Sequence, residues 1–192
     1  MKESTRTWLQ TIIGALFSGL FVGFVVYFLQ KNDAVQEKEQ YLNMFIIELQ
    51  QNQIYVKDMA AFLENSYNVE QKLLHKEKLS LDDSQLLFHT HYFEYEKSAF
   101  DMLNISGAIR LINDEGIRNS VANIYRNLEI RKRDVNRNMY VKWEQYIRSI
   151  SHKNQDVDGY VETFNSIINH QEMAKHFKEL NDNIDSILSN IR

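Results

Sequence analysis

The sequence has no cysteine and no proline, and only six of its 192 residues are glycine. Without cysteine the chain forms no disulfide and offers no thiolate ligand to a metal, so its composition carries no sign of a redox compartment. Because proline is absent and glycine is scarce, little interrupts a helix, and the turn residues that a sheet needs are missing. Leu, Ile, Asn, Glu, Gln and Lys are plentiful, and this composition predicts an all-α fold.

An excess of positive charge is also missing, since the formal net charge is -4. Proteins that bind nucleic acid polymers usually carry a basic excess, so we expect no partner of that kind. A local basic patch remains compatible with a small anion or an acidic protein. The chain length predicts one domain with an appendage.

One long apolar run stands out, from Trp8 to Leu29, without a single formal charge. A helix of this length spans about 33 Å, enough to cross a hydrocarbon core of about 30 Å. Trp8 and Tyr27 lie where amphipathic aromatic residues anchor at the two interfaces. The pattern predicts a tail over residues 1–7, a single transmembrane helix over 8–29 in a lipid bilayer, and a helical domain over 30–192. The alternative is a cleaved signal peptide, but the run is too long and no cleavage motif follows it.

The side of the membrane on which the domain lies is weakly encoded. We expect the plasma (inner) membrane. Lys2, Arg6 and the terminal amine precede the run, and Lys31 and Lys38 follow it. The positive-inside rule therefore leans slightly toward a cytoplasmic amino terminus, by about one charge.

Small residues follow one face of this predicted membrane helix. Ala15, Gly19 and Gly23 recur every four residues, and Gly14 and Ser18 form a second pair beside them. Such a strip lets two helices approach closely, which predicts self-association or pairing with another membrane helix. The alternative is that small residues are simply frequent in membrane spans.

The remaining residues predict an elongated antiparallel bundle of about three long helices and a short helix pair. We expect helices over 34–76, 83–92, 114–152 and 160–190, and the pattern allows the first to be continuous with the membrane helix. The inward stripe of the helix over 34–76 consists of the apolar residues Leu42, Phe45, Leu49, Val56, Met59 and Leu63. Asn52 interrupts this stripe, and we expect it to be partly exposed. Ser80, Asp82 and Asp83 are predicted to cap the second helix.

The segment from Phe100 to Glu129 predicts a helix, a tight turn and a second helix. Ser106 and Gly107 are typical of a helix stop, and Asn113 is predicted to cap the next helix, with Asp114 and Glu115 in its first turn. The segment also carries a spaced pattern of an aromatic residue, a Leu, Ser-Gly, a Leu-Ile pair, an Asn, an Arg and a Tyr. The residues of this pattern are Phe100, Leu103, Ser106, Gly107, Leu111, Ile112, Asn113, Arg118 and Tyr125.

This pattern resembles a group of uncharacterised bacterial membrane-anchored helical proteins. Two positions depart from the group's pattern: Ile105 stands in place of a serine and Ala108 in place of an asparagine. The resemblance implies the architecture of an amino-terminal membrane helix followed by a helical domain. It implies no chemistry.

A basic cluster lies in the fourth predicted helix and consists of Arg126, Arg131, Lys132, Arg133 and Arg137. It could contact a phosphate, a nucleotide, an acidic partner or anionic headgroups. Successive helical positions point in different directions, so the alternative is a solvated outer face.

Catalytic signatures are absent: no phosphate-binding glycine loop, G-x-S-x-G or H-E-x-x-H occurs. His89 and His91 are two apart, which on a helix prevents them from sharing a metal ion. We therefore expect no enzyme activity, metal or cofactor.

Two functions stay open. The first is a single-pass, membrane-anchored interaction module that acts as a scaffold, sensor or partner subunit through a homo-oligomer, another membrane helix or a protein partner. The alternative is an effector, as in some bacterial defence systems, whose assembled anchors permeabilise the membrane when an anionic ligand or partner binds the basic cluster.

Overall fold

The computed structural model describes residues 2–88, 91–151 and 170–191, with side chains over 20–83, 85–86, 91–141, 144 and 170–191. All regular structure in these residues is helical, which confirms the all-α prediction. The elements are α1 (Lys2–Leu74), α2 (Leu81–Phe88), α3 (Ser98–Ile105), a 3-10 turn (Ala108–Leu111), α4 (Glu115–Ser151) and α5 (His170–Asn190).

The predicted helix over 34–76 is part of a single helix, α1, that begins at Lys2 and ends at Leu74. Beyond its last turn, Lys76 adopts a left-handed conformation with φ 56°. The Lys76 and Glu77 N–H groups then donate to the Leu73 and Lys72 carbonyls, each at 2.9 Å. This pair of bonds is a Schellman motif, which satisfies the terminal carbonyls in the absence of a glycine.

Of the three long helices, α1 and α4 run in the same direction and α5 runs in the opposite direction. Gln53 on α1 contacts Asp185 on α5, and Glu64 further along α1 contacts Lys178. Because the α5 number falls as the α1 number rises, these helices are antiparallel. The Tyr125 hydroxyl on α4 reaches the first of these levels, at the α1 residue Glu48. Further along α4, Asn138 contacts Met173 near the start of α5, so α4 is parallel to α1.

Most of the core comes from apolar stripes on the three long helices, which follow the apolar periodicity of the sequence. The buried members of these stripes are Phe45, Leu49, Val56, Met59 and Leu63 on α1; Val121, Ile124, Leu128, Val135 and Met139 on α4; and Phe177, Leu180, Ile184 and Ile187 on α5. The side chains of Trp143, Tyr146 and Ile150, and the predicted helical residues 160–169, lie outside the described residues.

The second predicted helix, over 83–92, was wrong at its end. Helix α2 stops at Phe88, and residues 91–97 form an extended segment between α1 and α4. Within it Phe93 is buried and meets the Phe177 ring edge-on, with ring centroids 4.9 Å apart. The extended segment therefore contributes to the core of the bundle, with Phe93 packed against α5.

The predicted cap of α4 was one residue early. The Asp114 carboxylate, and not Asn113, accepts the Ile117 N–H at 3.1 Å. The Asn113 carbonyl instead accepts the Arg118 guanidinium at 3.2 Å. The stop after α3 is confirmed, since Gly107 has φ 71°, a conformation that glycine adopts without steric cost.

Asn52 contradicts the expectation of partial exposure, because it is completely buried. Its Nδ2 donates to the Glu96 carbonyl and its Oδ1 accepts the Glu96 N–H, both at 2.7 Å. Asn136 on α4 pairs in the same way with Phe93, at 2.8 and 3.1 Å. An extended segment inside a helical bundle lacks a strand partner, and these two amides satisfy its backbone from opposite sides.

We expect Asn52→Ala to destabilise the fold by about 1–3 kcal/mol, since it removes two part-buried hydrogen bonds to the Glu96 backbone and leaves a space at a buried position of α1. Gln50→Ala, at an exposed position half a turn away, is the control and should change stability by less than about 0.5 kcal/mol. Denaturant unfolding followed by circular dichroism measures both. Equal effects of the two substitutions would contradict the role assigned to Asn52.

Of the three residues predicted to cap the second helix, Ser80, Asp82 and Asp83, the first and the last form a reciprocal capping box at the start of α2. The Asp83 N–H donates to the Ser80 Oγ at 3.1 Å, and the Ser80 N–H donates to the Asp83 carboxylate at 2.9 Å. Lys72 on α1 also donates to this carboxylate, at 2.9 Å. The Ser80 backbone, then the Lys72 ammonium and the Ser80 hydroxyl, hold the pKa of Asp83 at about 2, below its ordinary 3.8.

A carboxyl group whose pKa is lowered in the folded state stabilises the fold above its unfolded pKa and loses this contribution as the pH falls through the folded pKa. We therefore expect the wild type to be more stable than Asp83→Asn at pH 5, with the difference vanishing near pH 2. Thermal unfolding across this range measures it. Asp82→Asn, in the same helical turn, is the control and should show a smaller pH-dependent difference.

Candidate functional site

Residues 20–29 of α1, which precede the bundle, are apolar and exposed on all sides. Every residue from 20 to 37 is exposed, and the large apolar side chains from 20 to 29 range from 38% exposed at Val25 to 72% at Leu20. The Phe24 and Phe28 rings touch only along the helix, with centroids 5.7 Å apart. A helix that is apolar all round is normally covered by protein or lipid.

The predicted association face is described at one position only. At Gly23 an added Cβ would meet nothing within 4 Å, so this glycine is open to a neighbour. The predicted anchor Tyr27 is 61% exposed. The side chains of Trp8, Gly14, Ala15, Ser18 and Gly19 lie outside the described residues.

Within the described part of the chain, no helix has an apolar stretch long enough to cross a membrane. The predicted span over 8–29 is therefore not supported by the structure, which describes side chains for residues 20–29 of it.

The predicted basic cluster divides between two sides of α4. Arg126, Arg133 and Arg137 are exposed and follow one another at spacings of seven and four residues. These spacings place the three guanidinium groups on one face of the helix, opposite the core. We call these three residues the arginine stripe. Arg131 and Lys132 are half-buried, and lie on other faces.

Lys132 has a structural partner in place of a ligand. Its ammonium group contacts the Glu94 carboxylate on the extended segment. It also lies 5.8 Å from the centroid of the Tyr95 ring, a cation–π distance. Lys132 thus helps to fix residues 91–97 on α4, and the five cations do not converge on one site.

A buried carboxylate, missed by the sequence analysis, organises the end of the bundle nearest the exposed apolar stretch. Glu48 is 7% exposed and accepts the Ala99 and Phe100 N–H groups at the start of α3, at 2.6 and 3.1 Å. The Tyr125 hydroxyl donates to the same carboxylate at 2.7 Å. Glu48 therefore joins α1, α3 and α4. In the sequence it looks like an ordinary charged residue beside an apolar stripe, which is why it was not singled out.

Two neighbouring tyrosines, Tyr125 bonded to Glu48 and Tyr95 bonded to Glu129, are held as neutral donors. Burial, followed by the hydrogen bond to Glu48, raises the pKa of Tyr125 well above its ordinary value of 10.0. Burial and the hydrogen bond to Glu129 raise the pKa of Tyr95 in the same direction. The Phe100 ring stacks on Tyr125 with centroids 4.0 Å apart. Such phenols are structural hydrogen-bond donors and poor proton-transfer groups at neutral pH.

A second buried polar pair lies at the other end of the bundle. The His170 ring on α5 is completely buried, and its Nδ1 is 2.8 Å from the Glu70 carboxylate on α1. Both side chains lie between helices that already carry the core. This position assigns them to the packing of α1 against α5.

The histidines that invited a metal interpretation are not on one helix. His91 lies in the extended segment, with its ring centroid 5.1 Å from that of Phe62, while His89 lies outside the described residues. Among the side chains that the structure describes, no three potential metal ligands come together.

An open cleft of about 740 Å³ lies between α1 and α5. Its walls carry amide and charged side chains, among them Asn65, Asn68 and Gln171. Lys178 and Glu64 meet each other across it. The cleft is a polar groove whose central charges neutralise one another.

Comparison of the chain with protein-family models, with curated proteins and with solved structures found no match. The resemblance carried by residues Ser106 to Arg118 therefore stays a prediction.

Proposed function

We propose that this chain is a membrane-anchored helical interaction module, in which the amino-terminal part of α1 is the anchor and the bundle presents surfaces to a partner. The observation that carries the proposal is the exposure of large apolar side chains from Leu20 to Leu29 on every side of the helix. Each such side chain favours an apolar environment over water by about 1.5–3 kcal/mol. Nine such side chains within ten consecutive residues need a cover.

Lipid is the cover that the distribution of exposure favours. A groove-binding protein would require one apolar face, whereas here the aromatic and branched side chains surround the helix. The uncharged run from Trp8 to Leu29 has the length of a membrane span, about 33 Å. Continuity of α1 through this run into the bundle supports a rigid connection between the anchor and the domain.

Pairing between anchors is the second part of the proposal. The open surface at Gly23 supports it, since a small residue with free space around it permits close approach of another helix. Gly14, Ala15, Ser18 and Gly19 extend the same kind of surface in the sequence. We propose that the anchor associates with a second copy or with another membrane helix at these positions.

The arginine stripe faces a partner other than the headgroups of the anchoring membrane. Tyr125, the neighbour of Arg126, reaches the level of Glu48, which follows Leu29 by about 28 Å of helix. Electrostatic attraction to headgroups falls off within a Debye length of about 8–10 Å. This distance supports an acidic protein or a soluble anion as the partner of the stripe, and the proposal includes no catalytic step.

We expect the full chain to remain in the membrane fraction after carbonate extraction. Phe21→Lys combined with Phe24→Lys should release it, since each lysine in a span costs roughly 2.5–3.5 kcal/mol. The matched control is Gln36→Lys with Asn43→Lys, at exposed positions of the same helix beyond the apolar run. Release of the wild type by carbonate would contradict the proposal, as would full retention of the Phe21 and Phe24 variant.

A further inference from the structure

The side of α1 turned away from the core carries a second apolar surface at the level of the bundle. Met44, Ile47 and Ile54 are 53%, 66% and 50% exposed. They lie at spacings of three and seven residues, so they share one face. The neighbouring positions Phe45, Leu49 and Val56 are completely buried in the core. Over this stretch α1 therefore carries large apolar side chains on two sides, with the half-buried Gln51 between Ile47 and Ile54, and the described part of the bundle covers one of these sides.

The exposed surface continues the register of the open glycine in the anchor. Gly23 precedes Met44 by three heptads, and Val26 precedes Ile47 by three and Ile54 by four. A left-handed coil of two helices keeps positions separated by heptads along one seam. Gly23 and Val26 in the anchor and Met44, Ile47 and Ile54 on the bundle thus belong to one stripe of α1, which we call the heptad stripe.

We infer that the heptad stripe is the contact between this chain and a second, parallel copy of itself, with Met44, Ile47 and Ile54 meeting their own counterparts beside the bundle. The inference rests on the proposed function, because pairing of the anchors sets the two stripes at the same height. In symmetric self-association each residue meets its own counterpart, so a second copy presents an apolar surface at the same distance from the anchor. An unrelated partner would have to carry such a surface at that distance by chance.

The area of the surface fits this role. Three side chains of this size offer a few hundred Å², below the roughly 1,000 Å² that a stable interface needs on its own. Two copies tethered side by side through their anchors meet at an effective concentration of about millimolar, where a small contact suffices. The surface is thus too small to capture a free partner and large enough to extend an existing contact.

The residues between the two apolar parts of the stripe supply an internal test. Asp33 and Glu37 lie on the heptad stripe and are exposed. In a parallel pair each carboxylate comes close to its own counterpart, which opposes association. Asp33→Asn with Glu37→Gln should therefore strengthen self-association by about two- to fivefold. If the stripe docked an unrelated partner, these changes would leave self-association unaltered.

The absence of cysteine makes disulfide trapping in native membranes the direct experiment. We expect Ile47→Cys and Ile54→Cys, each introduced into the full chain and treated with an added oxidant, to form crosslinked dimers. Facing seam positions bring Cβ atoms near the 3.5–4.5 Å that a disulfide requires. Val35→Cys, exposed on the opposite side of α1, and Ile105→Cys, 81% exposed on α3, are the controls and should crosslink at least about fivefold less.

Gly23→Cys, where a side chain meets nothing within 4 Å, reports separately on the anchor. Crosslinking at Gly23 with none at Ile47 and Ile54 overturns the inference and leaves anchor pairing standing. Equal crosslinking at Ile47, Val35 and Ile105 overturns it as random collision. A chain that crosslinks nowhere but stays in the membrane overturns the inference together with anchor pairing, and a chain absent from the membrane overturns the proposed function as well.

Discussion

The bundle depends on two polar side chains one turn apart on the buried face of α1, Glu48 and Asn52. Together they satisfy the backbone of the chain as it passes from the extended segment into α3, at Glu96, Ala99 and Phe100. Each buried N–H or C=O left without a partner costs about 1–3 kcal/mol. Sliding α1 by one residue would lose all of these bonds at once, so the two side chains fix the register of the bundle.

The same helix that carries this register also carries the exposed apolar stretch. About 16 residues, or roughly 24 Å of helix, separate Leu29 from the first fully buried core residue, Phe45. No glycine or proline occurs between Gly23 and Gly107, so the sequence provides no hinge there. A rotation or displacement of the stretch over 20–29 is therefore passed to the bundle through a continuous rod, a useful property for a scaffold or a sensor.

The large-scale organisation could be predicted from the sequence because it follows apolar periodicity and chain breaks. The stripes of α1, α4 and α5, the stop at Gly107 and the capping box at Ser80 all depend on local patterns. What could not be predicted depends on distant partners. Asn52 looks like an exposed residue until the extended segment is known to pass it, and Glu48 has partners about 50 and 77 residues away.

The candidate site shows the same division. The spacing of Arg126, Arg133 and Arg137 is sufficient to place them on one face. The pairing of Lys132 with Glu94 requires the extended segment, which the sequence did not predict. The inward stripe predicted for α1 leaves out Met44, Ile47 and Ile54, but their exposure depends on the width of the face that the bundle covers, which the sequence alone does not give.

The central claim is that lipid surrounds α1 at residues 20–29, and accessibility of single cysteines to a water-soluble maleimide in intact membranes tests it most directly. The account predicts that cysteines at all positions from Leu20 to Leu29 are protected, and that labelling begins near Lys31 and continues at Val35. Labelling that rises and falls every three to four residues within 20–29 would contradict it, since that period indicates a helix covered by protein on one face and by water on the other.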